Sequence, residues 1–336
     1  MNYLVLKQRI YLVISGLTLI VLGSGYGSCT KFSDKLSDSA MVALDSFHHC
    51  QYMARSRGIG AAGRRSEQFD YANLLSRHTT AEQLVEIANT DTSRITRLWA
   101  YRILLKKADN QVIDVLKQAL KDTTYVEMMS GCSEFEEPYN RAAISIYRYD
   151  SYELKLPNQL CFSLDSLVFF DYMKPCGFER GLLMDFKPHK IYYATVIEEA
   201  DKGNDAILPL LAQYKNPNDR QRINKLLKLN LKKAGVCSHE ACEAISNWND
   251  PAFEWYAKAA CQATIKQEYY YAWDILHLLC AYPAPWSYQI LKELLTQKGD
   301  YSNSDTAKDY LRERYKTRPV PPIFKPLYDM YVARKK

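Results

Sequence analysis

Four short stretches of this 336-residue chain carry residue types that could do chemistry, and each needs a context the sequence can be searched for. Gly58-Ile59-Gly60-Ala61-Ala62-Gly63 spells GxGxxG, the turn that lets a backbone approach a pyrophosphate, but that use requires a strand before it and a helix opening at its end. The residues before it, Tyr52-Met53-Ala54-Arg55-Ser56-Arg57, read as the polar end of a helix, so a glycine-rich connector is expected. Cys237-Ser238-His239-Glu240-Ala241-Cys242 offers zinc-type ligands, yet a structural zinc wants four and no second Cys/His pair lies nearby in sequence. His48-His49-Cys50 places a base beside a nucleophile, but adjacent helical residues point in different directions. Glu134, Glu136 and Glu137 with Asp122 lack the alternation and turn glycine of a calcium loop. No Walker loop, GxSxG or HExxH occurs, so no catalytic residue, cofactor or metal site is expected.

The first residues carry a different kind of chemistry. Lys7 and Arg9 precede an uncharged apolar run at 10–22, followed by the small residues Gly23, Ser24 and Gly25 and then Tyr26-Gly27-Ser28-Cys29. This is the charged, apolar and small-residue order of an export signal. The ending resembles the lipobox of bacterial lipoproteins, although Tyr26 stands where a branched aliphatic is usual. The resemblance implies acylation of Cys29 after removal of 1–28, a periplasm-facing protein and, with Thr30 instead of Asp next, the outer membrane. A plain cleaved signal and an uncleaved anchor are the alternatives. The other eight cysteines would then meet an oxidising compartment. A Cys161–Cys176 bridge would close part of the chain into a loop, and Cys237–Cys242 is a second pairing that sequence cannot settle. Arg55, Arg57, Arg64 and Arg65 flank the glycine stretch and could meet anionic headgroups near the tether; a solvated loop is the simpler reading. The formal net charge of +6 falls to +4 without Lys7 and Arg9, too mild for nucleic-acid binding.

What must position any site is helical. Pro217, Pro251 and Pro285 are spaced by 34 residues, each with an aromatic three residues earlier (Tyr214, Trp248, Tyr282) and a small residue five earlier (Ala212, Ser246, Cys280). In that register Leu208, Cys242 and Leu276 align, as do Leu211, Ile245 and Leu279, and then Leu227, Cys261 and Leu295. Such a period marks stacked units that cannot bury their apolar faces alone. Each unit is expected to be helix, proline turn, helix, because proline suits a first helical turn and not an interior. Buried thiols are expected at Cys242, Cys261 and Cys280. Toward the start, a helix is expected over 39–55 with Met41, Leu44 and Phe47 inward, and helices through 66–121 opened by a Thr79/Glu82 capping box. Residues 122–137 read as a long connection, 152–156 as a short strand and 164–172 as a short helix.

The segment from Ser93-Arg94-Ile95-Thr96-Arg97-Leu98 through Trp99-Ala100-Tyr101-Arg102-Ile103-Leu104 resembles the second helix of a HEAT-like repeat. With Ser66-Glu67-Gln68-Phe69, Asp122-Thr123, Gly131-Cys132 and Tyr214-Lys215-Asn216-Pro217, about half the chain resembles uncharacterised HEAT-like lipoproteins of Bacteroidetes. Tetratricopeptide proteins share the 34-residue period but place a packing glycine where Leu227, Cys261 and Leu295 stand, so HEAT-like ranks first. The expected fold is all-α, an α-α superhelix (HEAT-like or tetratricopeptide-like solenoid) with an irregular insert. Its parts are a signal peptide at 1–28, a tether and first helix at 29–65, repeats at 66–148, the insert at 149–187 and repeats at 188–336. Stacked helix pairs present extended surfaces, so the expectation is a non-enzymatic scaffold that binds another envelope protein. Tyr256, Tyr269, Tyr270, Tyr271 and Trp286 are the expected contact residues. The alternative is a carbohydrate-binding lipoprotein of a glycan-uptake system, with tyrosine and tryptophan faces stacking on sugars. A hydrolase would rest on the insert alone.

Overall fold

The computed structural model describes residues 36–60, 62–234, 238–265, 272–297 and 303–333, and the chain divides into two compact units after Tyr172. It is mostly helical, with one four-stranded sheet among the described residues. The first unit runs α1 (Asp38–His48), β1 (Met53–Ile59), β2 (Arg64–Arg65), α2 (Gln68–His78), α3 (Ala81–Thr90), α4 (Arg94–Lys106), α5 (Val112–Ala119), β3 (Tyr125–Gly131), β4 (Ser133–Pro138), α6 (Tyr139–Leu154) and α7 (Asn158–Leu167). Its core is α4. Ten of that helix's 13 residues are buried, including Leu98, Trp99, Ile103 and Leu104, because α1, α2, α3, α5, α6 and β1 all pack on it. Thr80 caps α3 in a capping box with Gln83, one residue later than the Thr79/Glu82 pair predicted from sequence.

The helical expectation is met in the main, and the sheet is a small β element that it did not include. Its order is β2-β1-β3-β4, with β1 parallel to β3 and the other pairs antiparallel. The first helix therefore stops at His48, buries Ala40, Ala43 and Phe47 with Met41 outside, and residues read as its continuation become β1. Residues 122–137, read as a connection, hold the β3–β4 hairpin, turned at Gly131 with φ +56°. The outer edge of β1 is closed by side chains. The Gln68 amide donates to Tyr52 O at 2.7 Å and accepts from Ala54 N at 3.0 Å, as a neighbouring strand would. Trp99 Nε1 donates to the same Gln68 oxygen at 2.8 Å, and Arg102 Nη1 donates to Ala54 O at 3.2 Å. Arg102 is itself buried and held by Asp150 of α6 through two bonds of 2.6 and 2.8 Å. The strand expected over 152–156 is instead the end of α6, closed by Lys155 in the left-handed region at φ +50°. Helix also occupies most of the expected insert: α7, a π-helical turn (Val168–Met173), the turn Lys174–Cys176 and a helix at Arg180–Met184.

The second unit continues with α8 (Arg180–Met184), α9 (Lys190–Asp201), α10 (Leu208–Gln213), α11 (Arg220–Ala234), α12 (His239–Trp248), α13 (Glu254–Thr264), α14 (Ala272–Ala281), α15 (Pro285–Thr296), α16 (Asn303–Arg314) and α17 (Lys325–Leu327). The even-numbered helices α8 to α16 pack each on the next even one, and α9, α11, α13 and α15 do the same in a second row. The aligned positions Leu208/Cys242/Leu276 and Leu211/Ile245/Leu279 are all buried, as are Leu227/Cys261/Leu295. Each repeat proline begins the turn into the second-row helix: Pro217 and Pro251 start 3-10 turns before α11 and α13, and Pro285 is the first residue of α15. Asn216 and Asp250 cap the first two turns by accepting from Asn218 N and Ala252 N, whereas Ser287 Oγ accepts from Ala284 N in the third. Pro319 lies a further 34 residues on and precedes α17, so the period runs to a fourth proline that sequence reading left unaligned.

The knot at β1 makes two predictions. Asp150→Ala strands the buried Arg102 charge and is expected to cost about 3–5 kcal/mol in a denaturant melt, while a double change to apolar residues costs less than the single one; equal losses would contradict this. His48 Nε2 bonds Asp91 at 2.9 Å, tying the end of α1 to the α3–α4 turn, and that bond raises the imidazole above its ordinary value of 6.5. A raised folded-state value means the tie contributes fully below about pH 6.5 and fades as pH climbs through the higher folded value. The melting-temperature difference between the native chain and His48→Gln should therefore shrink from pH 5.5 to pH 8.5.

Candidate functional site

A groove of about 490 Å³ opens in the second unit between the first turn of α9 and the turn after α10. Local sequence shapes both walls. His189 caps α9, its Nδ1 accepting from Ile191 N at 3.4 Å, directly after Pro188, which cannot sit in a helix interior. On the other wall α10 ends at Gln213, Lys215 turns left-handed at φ +50°, and Asn216 caps the next turn. Tyr214 links the walls: its hydroxyl donates to His189 O at 2.7 Å and accepts from His189 N at 3.3 Å. The Tyr193 ring meets Tyr214 edge to face, with centroids 4.9 Å apart. Its hydroxyl donates to Asp219 Oδ2 at 2.8 Å and accepts from Asn216 Nδ2 at 2.6 Å. Asp219 is fully buried and also takes Arg222 Nη1 at 3.1 Å. Gln213 Nε2 is spent on Met184 O at 3.2 Å, and Lys190 stands exposed at the rim.

This arrangement can bind but is poorly placed to move protons. Burial pushes the Tyr214 phenol up to about 12, and desolvation followed by the Asp219 bond raises Tyr193, so neither supplies a phenolate near neutrality. One N–H of each of the Gln213 and Asn216 amides already has an internal partner. What the groove offers a ligand is two half-buried aromatic rings, an imidazole and a rim cation.

The contact residues expected from sequence fall elsewhere. Tyr256 is fully buried and donates to Asn230 Oδ1 at 3.0 Å, so it packs between repeats and cannot meet a partner. Trp286 is half-buried with Nε1 locked on Glu254 Oε1 at 2.8 Å. Tyr269, Tyr270 and Tyr271 lie outside the described residues, as does Cys29. The exposed tryptophans are Trp255, bonded to Asn224 Oδ1 at 2.7 Å, and Trp273, which stands against Tyr310. Cys161 and Cys176 form no disulfide: both are thiols, and Cys161 Sγ donates to Leu156 O. Cys242 is disulfide-bonded instead of a buried thiol; Cys237 lies outside the described residues. His48, His49 and Cys50 reach three separate acceptors, Asp91, Asp45 O and Ser46 O. The glycine stretch does follow a strand, contrary to the sequence reading, but turns at Gly60 and Gly63 into β2 and opens no helix. Asp122 pairs with Arg97 and does not join the glutamates, of which Glu136 faces Glu127 across the hairpin. Among the described residues no group of three or more His, Cys, Asp or Glu is placed to hold a metal.

No family model, curated protein or solved structure matches this chain. Sequence reasoning named Tyr214 only as a repeat marker and passed over Tyr193. The available signal was the Tyr192-Tyr193 pair shortly after Pro188-His189, 24 residues before the first repeat proline Pro217. In a titration of ¹³C-labelled tyrosine, the Tyr214 resonance is expected to hold still until above pH 11; a midpoint near 10 would place this phenol in open solvent.

Proposed function

We propose that this chain is a non-enzymatic, lipid-anchored protein of the cell envelope, whose second unit is a HEAT-like α-solenoid that binds an extended segment of another envelope protein. The observation that carries the reading is the groove at Tyr193 and Tyr214, built on two rows of helices that each touch the next. Stacked helix pairs hold surface side chains in fixed register, which suits recognition of a chain segment. Two aromatic rings would take an apolar side chain, and Lys190 at the rim would favour an acidic neighbour. The sugar reading is weaker on the same geometry. Sugars need unspent donors and acceptors to meet hydroxyls, and one N–H of each of the Gln213 and Asn216 amides is already engaged within the protein.

Anchoring enters through Cys29, acylated after loss of 1–28, with the protein facing the periplasm from the outer membrane. No helix among the described residues is long and apolar enough to cross a membrane. The test combines two measurements in intact cells. Mass spectrometry of the membrane fraction is expected to find a diacylglyceryl group on Cys29, and an unmodified Cys29 would end the anchoring claim. A photo-crosslinker replacing Lys190 is expected to capture one envelope protein, with capture reduced about tenfold by Tyr193→Ala and absent from a crosslinker at exposed Gln289. Capture indifferent to Tyr193→Ala, or equal from both positions, would remove the groove from the proposal.

A further inference from the structure

A second site is assembled on the first unit, around the ring of Phe69. Three cationic groups converge on that ring: Arg102 Cζ at 5.1 Å, Lys106 Nζ at 5.6 Å and Arg57 Cζ at 5.7 Å from its centroid. The Trp99 ring extends the shelf, with Arg102 Cζ at 5.0 Å and Lys106 Nζ at 6.0 Å. Arg55, on the same face of β1 as Arg57, lies over Tyr149 at 5.4 Å. Four elements therefore contribute: β1, α2, α4 and α6.

The charges do not cancel. Arg102 is neutralised by Asp150, both deeply buried. Among the described residues neither Arg57 nor Lys106 forms an ion pair with a carboxylate. Glu153, exposed near the end of α6, acts on Lys106 only from a distance. The strain shows in Lys106: its stem lies on the aromatic shelf while the residue as a whole stays exposed, and desolvation, then the Arg102 charge, hold its pKa below the usual lysine value. Aromatic faces attract each cation singly, but the cations repel one another, and the carboxylates that act on Lys106, those of Asp150 and Glu153, do so without an ion-pair contact to it.

We infer that Arg57 and Lys106, with Arg102 behind them, form an oxyanion site that takes a phosphate group. The exposed Arg57 guanidinium offers a planar fork that can hold two phosphate oxygens at once, and Lys106 adds a point charge at the same aromatic ring. The shelf of Phe69 and Trp99 fixes both stems, so little side-chain freedom is lost on binding. The phosphate belongs either to a small soluble molecule or to a lipid headgroup, and the two sources are separable by experiment. The site is independent of the groove on the second unit.

The test uses the full chain in detergent, titrated with inorganic phosphate at ionic strength held constant with sodium chloride, and read by calorimetry and melting temperature. A saturable heat and a rising melting temperature are expected, with affinity falling about tenfold or more in each of Arg57→Gln and Lys106→Gln. Both variants leave the Arg102–Asp150 pair in place, and circular dichroism checks their folding. In a parallel arm, protein partition is compared between phosphatidylglycerol and phosphatidylcholine vesicles, since an acyl anchor alone serves both equally. Phosphate binding that depends on Arg57 and Lys106 supports the site and a soluble source. A phosphatidylglycerol preference that depends on the same two residues, without free-phosphate binding, supports the site and assigns it to headgroups. If neither measurement responds to the two substitutions, the inference is overturned.

Discussion

The arginine buried at the junction of β1, α4 and α6 is the constraint on which the first unit depends. A guanidinium cannot enter a protein interior without a counter-charge and a full set of acceptors, and Asp150 and Ala54 O provide them. Meeting those needs fixes three elements at once. It also fixes the strand edge, because the carbonyl that satisfies Arg102 belongs to β1, and the neighbouring amide of that strand is satisfied by Gln68. The start of β1 is thus held on one side by β3 and on the other by side chains from helices, with β2 joining only at Gly58 and Ile59, which explains how a strand with an arginine-rich, half-exposed sequence is stable at all.

The second unit solves a simpler problem many times. Each helix buries one face on the next helix of its row, and the turns are joined by bonds that reach across about one repeat. Tyr282 Oη donates to Ile245 O and Asp250 O, Arg220 pairs with Asp250, and Trp286 with Glu254. One position shows how loosely the repeat dictates chemistry. Asp219, Phe253 and Ser287 occupy the same register two residues after the proline, and all three are fully buried. The first is held by a tyrosine and an arginine, the second by a tryptophan ring, and the third by backbone carbonyls. Burial is common to the repeats, and the contacts that hold each buried side chain are particular to each.

That contrast explains which features could be read in advance. Periodicity reports burial, so the repeat helices, their proline turns and the inward faces of α3, α4 and α5 were legible. The strands were not, because their partners are remote. Nothing within 53–59 signals that Gln68 will stand in for a neighbouring strand, or that β3 will arrive beside it. The aromatic contact residues failed for a related reason. A tyrosine suits a wet surface or a dry core equally, and only the position of Asn230 decides that Tyr256 is inside. The groove was half visible, since Tyr214 marked a repeat, but its depth depends on Tyr193 folding back from another helix.

The two units also differ in how far along the chain their contacts reach, and this bears on the order in which they form. Ser56 Oγ accepts from Gly131 N, 75 positions away, and Met53 pairs with Met128 in parallel. The polar bonds quoted above between neighbouring turns and helices of the second unit span 23 to 37 positions. Loop closure over the longer distance is slower. On a growing chain, β1 leaves the ribosome with only the two-residue β2 to join until most of the first unit has been synthesised, so the rest of its edge must stay soluble meanwhile. The arginines at 55, 57, 64 and 65 give that waiting segment the charge to do so.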